Sequence, residues 1–212
     1  MNPELKLLGI SQKTYDFVKS CENSLGNIYE GIEANEAYTQ ARVLRAFQDN
    51  CIALRHFAPT SGYGYDDIGR EALGAVFACA LEAEDALVRP QISSGTQAIF
   101  TALSGLLEPG DVMLSLTGKP YDTLEKAIGI SGDEYCSLKR MGVIYRQVDL
   151  TADGHIDIDA AKAAITGSEK VIYFQRSRGY SWRNALTPEE MAPVFDMAKK
   201  LEGMPRHAST HA

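Results

Sequence analysis

The chain has 212 residues, of which 45% are hydrophobic and 23% are charged, proportions that are ordinary for a folded globular protein and argue against disorder. Its formal net charge of -7 and the lack of a basic run argue against a surface that binds nucleic acid. No run of eighteen apolar residues is present, and the N-terminus lacks the features of a signal peptide. We therefore expect a cytoplasmic protein with no membrane partner.

The first third of the chain has the sequence character of helices. Ser11 is a favourable helix N-cap, and it precedes Tyr15 and Phe17 of a first predicted helix. A longer helix is predicted from apolar residues that share one stripe at helical spacing. These are Tyr38, Ala41, Leu44, Phe47, Cys51, Leu54 and Phe57. With a further helix over 70–81, residues 1–84 are predicted to form a helical N-terminal arm.

A polar, glycine-rich segment over 59–67 interrupts these helices and contains Tyr63 and Tyr65. Glycine and proline at this density predict a loop.

Cys51 and Cys79 fall on predicted apolar helix faces, and the four cysteines form no Cys-x-x-Cys pair. We expect them to be reduced residues of the core, and no metal site is expected.

From Asp85 onward, predicted strands and helices alternate. The strands are 85–90, 111–116, 143–150 and 170–175, and the helices are 96–107, 121–130, 157–165 and 188–201. This order predicts an α/β fold with a mostly parallel sheet flanked by helices over 85–201. Residues 202–212 lack periodicity and are predicted to form an irregular tail, at a point where the alternation requires another strand.

The turn Ser94-Gly95-Thr96 lies where the first predicted strand gives way to a helix. Unpaired backbone N–H groups and the positive end of the helix dipole both favour an anion at such a turn, and glycine lets the main chain approach that anion closely. The turn is therefore a candidate phosphate site. Simple capping of the helix by Ser94 or Thr96 is the alternative.

Polar residues follow the last predicted strand, at the end where ligands bind in open α/β sheets. They include Arg176, Ser177, Arg178 and Arg183. An arginine here is suited to pair with a substrate carboxylate through two parallel hydrogen bonds. The pattern does not choose among the arginines, and we take Ser177 and Arg178 as candidate substrate-binding residues.

Four segments in order resemble one family. They are YGYDDIGR at 63–70, QISSGTQAI at 91–99, GKPYDTL at 118–124 and QRSRGY at 175–180. Together they resemble the methionine gamma-lyase-like family, also called aluminium resistance proteins, which belongs to the fold type I enzymes that depend on pyridoxal 5'-phosphate. The resemblance runs to about Leu201 and corresponds to the N-terminal part of such a protein.

The resemblance implies a carbon–sulfur lyase of amino-acid metabolism that acts on a sulfur-containing amino acid. Pyridoxal 5'-phosphate is the implied cofactor: Ser94, Gly95 and Thr96 would bind its phosphate, and Tyr121 would stack on its ring. Tyr65 would reach the phosphate of a neighbouring subunit. A homodimer or homotetramer is therefore implied for the full-length protein.

The family's Schiff-base lysine has no counterpart in this chain. Lys119, Lys126, Lys162 and Lys170 precede the expected position, and Lys199 and Lys200 lie on the last predicted helix. The catalytic residues therefore remain unassigned, and we expect this chain by itself to be inactive. Two alternatives remain: a non-catalytic remnant or interaction protein on the same scaffold, and a nucleotide-binding α/β domain, although no Gly-x-Gly-x-x-Gly turn is present.

Overall fold

A computed structural model describes residues 3–62, 67–132 and 134–200, and the chain divides into two units between Pro90 and Gln91. The first unit is helical, as predicted. Its elements are α1 (Pro3–Leu7), α2 (Gln12–Ser24), α3 (Gly26–Asp49), a 3-10 helix (Leu54–Phe57) and α4 (Ile68–Leu81).

Side-chain caps set where two of these helices begin. Ser11 Oγ accepts the N–H of Thr14 at 3.1 Å, which confirms Ser11 as the N-cap of α2. Asp67 Oδ1 accepts the N–H of Arg70 at 3.3 Å at the start of α4. Each cap satisfies one of the N–H groups that a helix leaves unpaired in its first turn.

The predicted stripe from Tyr38 to Phe57 is wrong beyond the end of α3. The helix ends at Asp49, and Cys51 has a left-handed φ of +50°, which a continuous helix does not allow. Leu54 lies on the separate 3-10 helix and is 88% exposed. The spacing was helical, but the backbone turns before the stripe is complete.

The cysteines are free but do not belong to the core. Cys21, Cys51, Cys79 and Cys136 are all exposed. The expectation of buried thiols is therefore wrong, because apolar spacing on a helix does not by itself decide which face packs.

Residues 85–90 form no strand, in contrast to the prediction. The Asp85 carboxylate accepts the N–H of Ala86, and the Leu87 side chain is exposed. The segment instead passes close to α4, where a Cβ on Gly74 would lie 2.8 Å from the Ala86 carbonyl oxygen. A strand requires a partner ladder, and none of the described segments supplies one here.

The second unit alternates strands and helices. Its elements are α5 (Gly95–Leu106), β1 (Val112–Ser115), α6 (Asp122–Ile128), β2 (Ile144–Gln147), α7 (Ile158–Ala164), β3 (Glu169–Tyr173) and α8 (Pro188–Lys200). Except for 85–90, the predicted strands and helices correspond to these elements, with ends that differ by a few residues. The α/β fold class is therefore confirmed.

The three strands form a parallel sheet in the order β2-β1-β3. Because successive side chains of a strand point to opposite faces, β1 contributes to two separate cores. Met113 packs with Leu103 and Leu124 on the face covered by α5 and α6. Leu114 packs with residues of α7 and α8 on the other face. The central strand is thus buried on both sides, as is usual in parallel sheets.

Glu169, at the start of β3, is a buried carboxylate whose oxygens are fully used. It accepts the N–H groups of Thr166 and Gly167 at 3.1 and 3.0 Å, and the hydroxyl of Thr166 at 2.9 Å. Arg146 Nη1 of β2 lies 2.9 Å from it. Burial by itself favours the neutral acid, but the hydrogen bonds from Thr166, from Gly167 and from the N–H of Glu169 itself outweigh it and hold the pKa of Glu169 below 4.5.

Among the helices of the described segments, none is long and apolar enough to cross a membrane.

Candidate functional site

The N-terminus of α5 presents two backbone N–H groups that have no acceptor in the described part of the chain. Ser94 caps the helix: its Oγ accepts the N–H of Gln97 at 3.1 Å, and its carbonyl accepts the N–H of Ala98 at 3.0 Å. Within the described residues, the N–H groups of Gly95 and Thr96 then have no acceptor. These two donors, at the positive end of a helix of 12 residues, form a suitable anion site.

The turn is held from behind by Gln97. Its Oε1 accepts the N–H of Ser93 at 2.8 Å and the hydroxyl of Ser93 at 2.9 Å. A Cβ placed on Gly95 would meet no atom within 4 Å, so the space in front of the turn is open. The turn is fixed on one side and accessible on the other.

Tyr121 reaches this turn from the loop that follows β1. Its hydroxyl donates to Thr96 Oγ1 at 3.2 Å, and Thr96 Oγ1 lies 2.9 Å from Thr123 Oγ1. Tyr121 is the N-cap residue of α6, and its partly buried ring packs against the core beside α5 and α6. The structure therefore brings together Thr96 and Tyr121, which the sequence predicted for one site.

The loop before Tyr121 leaves the sheet through a sharp turn at Gly118, which has a φ of +72°. Ser115 Oγ donates to the Gly118 carbonyl at 2.7 Å, and the Gly118 N–H donates to the Val148 carbonyl at 2.9 Å. A positive φ costs glycine little but strains other residues. This turn directs Tyr121 towards the carboxyl edge of the sheet.

Gln175 is a positioning residue that the sequence analysis did not assign to the site. Its Oε1 accepts the N–H of Tyr121 at 3.0 Å, and its Nε2 donates to the Ser177 carbonyl at 3.2 Å. Its own N–H donates to Thr117 Oγ1 at 2.9 Å. Its place two residues after the end of β3 was the available signal, because the ends of neighbouring parallel strands lie side by side.

A cleft of about 420 Å³ opens beside Tyr121. Gln175, Arg178 and Arg183 contribute to its wall, whereas the turn 94–96 does not. Gly179 lies beside Tyr121 and has a left-handed φ of +56°, which favours glycine; a Cβ there would lie at an ordinary contact distance of 3.8 Å from the Tyr121 Cβ. Tyr121 is therefore the side chain that the anion site and the cleft share.

The cations of this region differ in what they contact. Lys119 Nζ lies 3.0 Å from a carboxylate oxygen of Glu125. Arg176 Nε donates to the Leu186 carbonyl at 3.2 Å. Arg183 donates to the carbonyls of residues 175, 176, 177 and 184, and burial lowers the pKa of its guanidinium. Arg183 therefore organises the loop after β3.

Arg178 is exposed and lines the cleft. Its guanidinium has no hydrogen-bonding or ionic partner within the described part of the chain, which leaves it available to an anionic ligand. Ser177 is also exposed, and its carbonyl is occupied by Gln175 and Arg183.

Two tyrosines of the sheet lie close to the site. The pKa of Tyr173 is raised mainly by burial, and the neighbouring Tyr121 hydroxyl raises it further. Burial also raises the pKa of Tyr145 to about 12, and its hydroxyl donates to Gln147 Oε1 at 3.0 Å. Both phenols are therefore neutral at physiological pH.

The structure thus places four of the candidate residues near Tyr121 or around the turn before α5: Ser94, Gly95, Thr96 and Arg178. Ser177 follows Gln175 but does not line the cleft. Tyr65 lies outside the described residues.

The sequence matches a family model described as methionine gamma-lyase over residues 14–204. Protein YnbB of Bacillus subtilis (strain 168), which is uncharacterised, is 45% identical over 181 residues. The match covers 85% of this chain and 43% of YnbB.

Solved structures of similar sequence and fold also match this chain. A Clostridium novyi protein, named as a carbon-sulfur lyase involved in aluminium resistance, is 38% identical with a TM-score of 0.84; the match covers 93% of this chain and 47% of that protein. A Listeria innocua protein, named as a proposed cystathionine beta-lyase involved in aluminium resistance, is 41% identical with a TM-score of 0.81, with coverage of 89% and 46%. The chain therefore spans less than half the length of these relatives.

The family model covers nearly the whole chain, and the solved relatives share both its sequence and its fold. This chain belongs to the methionine gamma-lyase family.

Proposed function

We propose that this chain is the cofactor-binding part of a carbon–sulfur lyase that depends on pyridoxal 5'-phosphate and acts on a sulfur-containing amino acid. The observation that carries the proposal is the contact of the Tyr121 hydroxyl with Thr96, which joins an aromatic ring to an open anion site. The name of the Clostridium novyi relative supports the reaction class.

The residues around the turn fit the phosphate. The N–H groups of Gly95 and Thr96 are the donors, and the hydroxyls of Ser94 and Thr96 lie beside them. The absent side chain of Gly95 leaves room for a bulky anion to reach the backbone. In a dimer or tetramer, Tyr65 of a neighbouring subunit would add a further phosphate contact.

Tyr121 fits the ring. It is held at both ends, because its backbone N–H donates a hydrogen bond to Gln175 and its hydroxyl donates one to Thr96. An aromatic side chain fixed in this way positions a planar ligand and excludes water from one of its faces. When bound, the cofactor supplies an electron sink for breaking bonds near the amino group of the substrate.

Arg178 and Ser177 are proposed to receive the carboxylate of the amino-acid substrate. The Arg178 guanidinium is unpaired in the described structure, and it is suited to a bidentate contact with a carboxylate. Lys119, which also lines the cleft, is occupied by Glu125. Because no lysine of this chain matches the one that holds the cofactor covalently, we propose that the 212-residue chain binds the cofactor weakly and does not turn over substrate.

Two glycines of α5 provide a matched test. A Cβ added to either Gly95 or Gly105 would meet no atom within 4 Å, so both alanine variants should fold normally. Gly95→Ala places a methyl group in the anion site, whereas Gly105→Ala lies near the other end of the helix. Pyridoxal 5'-phosphate is titrated into each purified chain and followed by difference absorbance and calorimetry.

We expect Gly95→Ala to weaken binding about tenfold and Gly105→Ala to leave it unchanged. Tyr121→Ala should weaken binding further than Tyr121→Phe, which keeps the ring and loses only the contact with Thr96. Equal affinities for the wild-type, Gly95→Ala and Tyr121→Ala chains would refute the site. Lyase activity of the wild-type chain would refute the predicted lack of turnover.

A further inference from the structure

The loop after β3 is joined at its two ends. The N–H of Leu186 donates to the Arg176 carbonyl at 3.0 Å, and Arg176 Nε donates to the Leu186 carbonyl at 3.2 Å. Leu186 itself is buried in the core that includes residues of α8. The residues between these ends, which include Arg178, therefore extend from a fixed base. Their position depends on what holds the loop above that base.

Arg183 holds the first half of this loop through its carbonyl groups. Its Nη1 atom donates to the carbonyls of residues 176 and 184 at 3.4 and 2.8 Å. Its Nη2 atom donates to those of residues 175 and 177 at 3.4 and 2.7 Å. A guanidinium has five N–H donors, and these contacts use the four on the two terminal nitrogens. Arg183 therefore binds the loop backbone and has at most one N–H group left for a ligand.

The shortest of these contacts fixes the peptide group that leads into Arg178. The Ser177 carbonyl accepts from Arg183 at 2.7 Å and also from Gln175 Nε2 at 3.2 Å. Gln175 Oε1 in turn accepts the backbone N–H of Tyr121 at 3.0 Å. Because a peptide group is planar, holding its carbonyl also fixes the N–H and the Cα of the next residue. These contacts therefore set where Arg178 lies relative to Tyr121.

The side chain of Arg183 lies against Gly154, in the turn that follows β2. A Cβ on Gly154 would lie 3.0 Å from the Arg183 Cβ and 3.8 Å from its Cδ. Two hydrogen bonds of 2.9 Å close this turn, one from the Gly154 N–H to the Thr151 carbonyl and one from the Thr151 N–H to the His155 carbonyl. The absent side chain of Gly154 therefore leaves the room that Arg183 occupies.

We propose that Arg183, supported by Gly154, is a positioning residue that places the Arg178 guanidinium for the carboxylate of an amino-acid substrate. This role rests on the proposed function, since the cleft beside Tyr121 is taken as the substrate site. Arg178 lines this cleft, and its guanidinium has no partner within the described residues. A bidentate contact requires two parallel N–H groups to face the carboxylate. Fixing the backbone of Arg178 in advance reduces the freedom that binding must remove.

Two ligands that differ only in a carboxylate test this role. The first is the stable phosphopyridoxyl conjugate of L-methionine, in which a secondary amine joins the two parts. The second is the same conjugate of decarboxylated methionine. Neither ligand needs the covalent lysine. The ratio of their dissociation constants, measured by calorimetry on the full chain, separates the carboxylate contact from binding of the ring and the phosphate.

Four variants accompany the wild-type chain. Arg178→Ala removes the proposed contact itself. Arg183→Lys keeps the positive charge but loses the planar fork that holds the carbonyls. Gly154→Ala adds a Cβ that meets Arg183 and strains a backbone with a φ of +81°. Gly167→Ala is its matched control, because Gly167 has a φ of +86° and a Cβ there would meet no atom within 4 Å.

We expect the wild-type chain and Gly167→Ala to prefer the ligand with the carboxylate about thirtyfold, the size of one charge-assisted contact. The preference should disappear in Arg178→Ala and fall to about threefold in Arg183→Lys and Gly154→Ala. Affinity for the ligand without the carboxylate should be the same in every variant, which also shows that each is folded. Adding Arg183→Lys to Arg178→Ala should cause no further loss, because Arg183 acts through Arg178.

An unchanged preference in Arg183→Lys or Gly154→Ala, or a fall of the same size in Gly167→Ala, would overturn the proposal. A parallel loss of affinity for both ligands in Arg183→Lys would also overturn it, by showing a general structural role. A preference that survives Arg178→Ala but is lost in Arg183→Lys would place the carboxylate on Arg183 itself, against the proposal. If the wild-type chain binds both ligands equally, the positioning role fails while the cofactor site stands. If it binds neither, the proposed function fails as well.

Discussion

Strand β1 and helix α3 show how differently burial is distributed in the two units. The four residues of β1 are almost wholly enclosed, because helices cover both faces of the central strand. The 24 residues of α3 include one buried residue, Ala46. The comparison teaches that the length and regularity of an element do not measure its contribution to the core. A short central strand holds the α/β unit together, whereas the long helix leaves most of its surface exposed.

The largest expected effect is at the centre of the sheet. Leu114→Ala removes a side chain that is 1% exposed, and we expect the free energy of unfolding to fall by about 3 kcal/mol through lost burial and a residual cavity. Ile32→Ala on α3 removes a side chain that is 58% exposed and should cost less than about 0.5 kcal/mol. Urea unfolding followed by circular dichroism measures both. Similar losses would show that α3 is buried in solution.

Glu169→Gln should have the next largest effect. At neutral pH we expect a loss of about 2 kcal/mol, because the amide replaces a buried carboxylate that accepts several hydrogen bonds. The pKa of Glu169 is lower in the folded protein than the value of 4.5 in the unfolded chain, so its stabilisation is complete above pH 4.5 and is lost as the pH falls through the folded value. Urea unfolding of wild type and variant is therefore measured at pH 7 and at a series of acidic pH values, over which the difference between them should shrink. Glu189→Gln, at an exposed site, is the control; equal losses in both variants would contradict the prediction.

A smaller effect compares helix caps in the two units. Asp157 Oδ1 accepts the N–H of Ala160 at 2.9 Å, and Asp157→Ala should lower the free energy of unfolding of the α/β unit by about 1 kcal/mol. Ser11→Ala removes a similar cap from α2, a helix without buried residues. It should reduce the helical signal near the N-terminus without moving the main unfolding transition, since this helix frays locally. Hydrogen exchange of the α2 amides checks this, and a shift of the main transition would count against it.

The smallest effect concerns the start of α8. Glu190 Oε2 accepts the N–H of Thr187 at 2.7 Å. This hydrogen bond is the main cause that lowers the pKa of Glu190, and the contact with His155 is the second. Its stabilisation is therefore present above pH 4.5 and disappears as the pH falls. Glu190→Gln should cost about 0.5 kcal/mol at neutral pH, and this cost should shrink as the pH falls through the lowered pKa of Glu190. Parallel pH titrations of wild type and variant test this; a constant difference between them would exclude the charge as the cause.

Much of the α/β unit could be predicted from local pattern. Short apolar runs predicted the three strands, and the residues before α2 and α5 marked helix starts because a hydroxyl caps the first turn. The segment 85–90 failed, because an apolar run becomes a strand only beside another strand. The stripe to Phe57 failed for a related reason: spacing along a helix does not reveal where the backbone turns, as it does at Cys51.

The local geometry of the candidate site was predictable in part. The sequence singled out Ser94, Gly95 and Thr96 because the start of a helix favours an anion, and the structure places these residues at the start of α5. Gln175 was not assigned, because its link to Tyr121 spans 54 residues and depends on two strands lying side by side. The distinct roles of Arg178 and Arg183 also required the structure, since the sequence shows equal charges but not which one is occupied by backbone carbonyls.

The sequence by itself determined most of the order of the elements, the α/β class and the place of the small-residue turn at residues 94–96 before α5. These properties depend on residues that are close along the chain, such as a cap and its first turn. Only the tertiary structure decided that Tyr121 meets Thr96, that Gln175 holds Tyr121 in place, and that most of α3 is exposed. The first two depend on which surfaces come together when the strands pair, and the third depends on how the helices of the first unit pack; both are decided between segments that are distant in sequence.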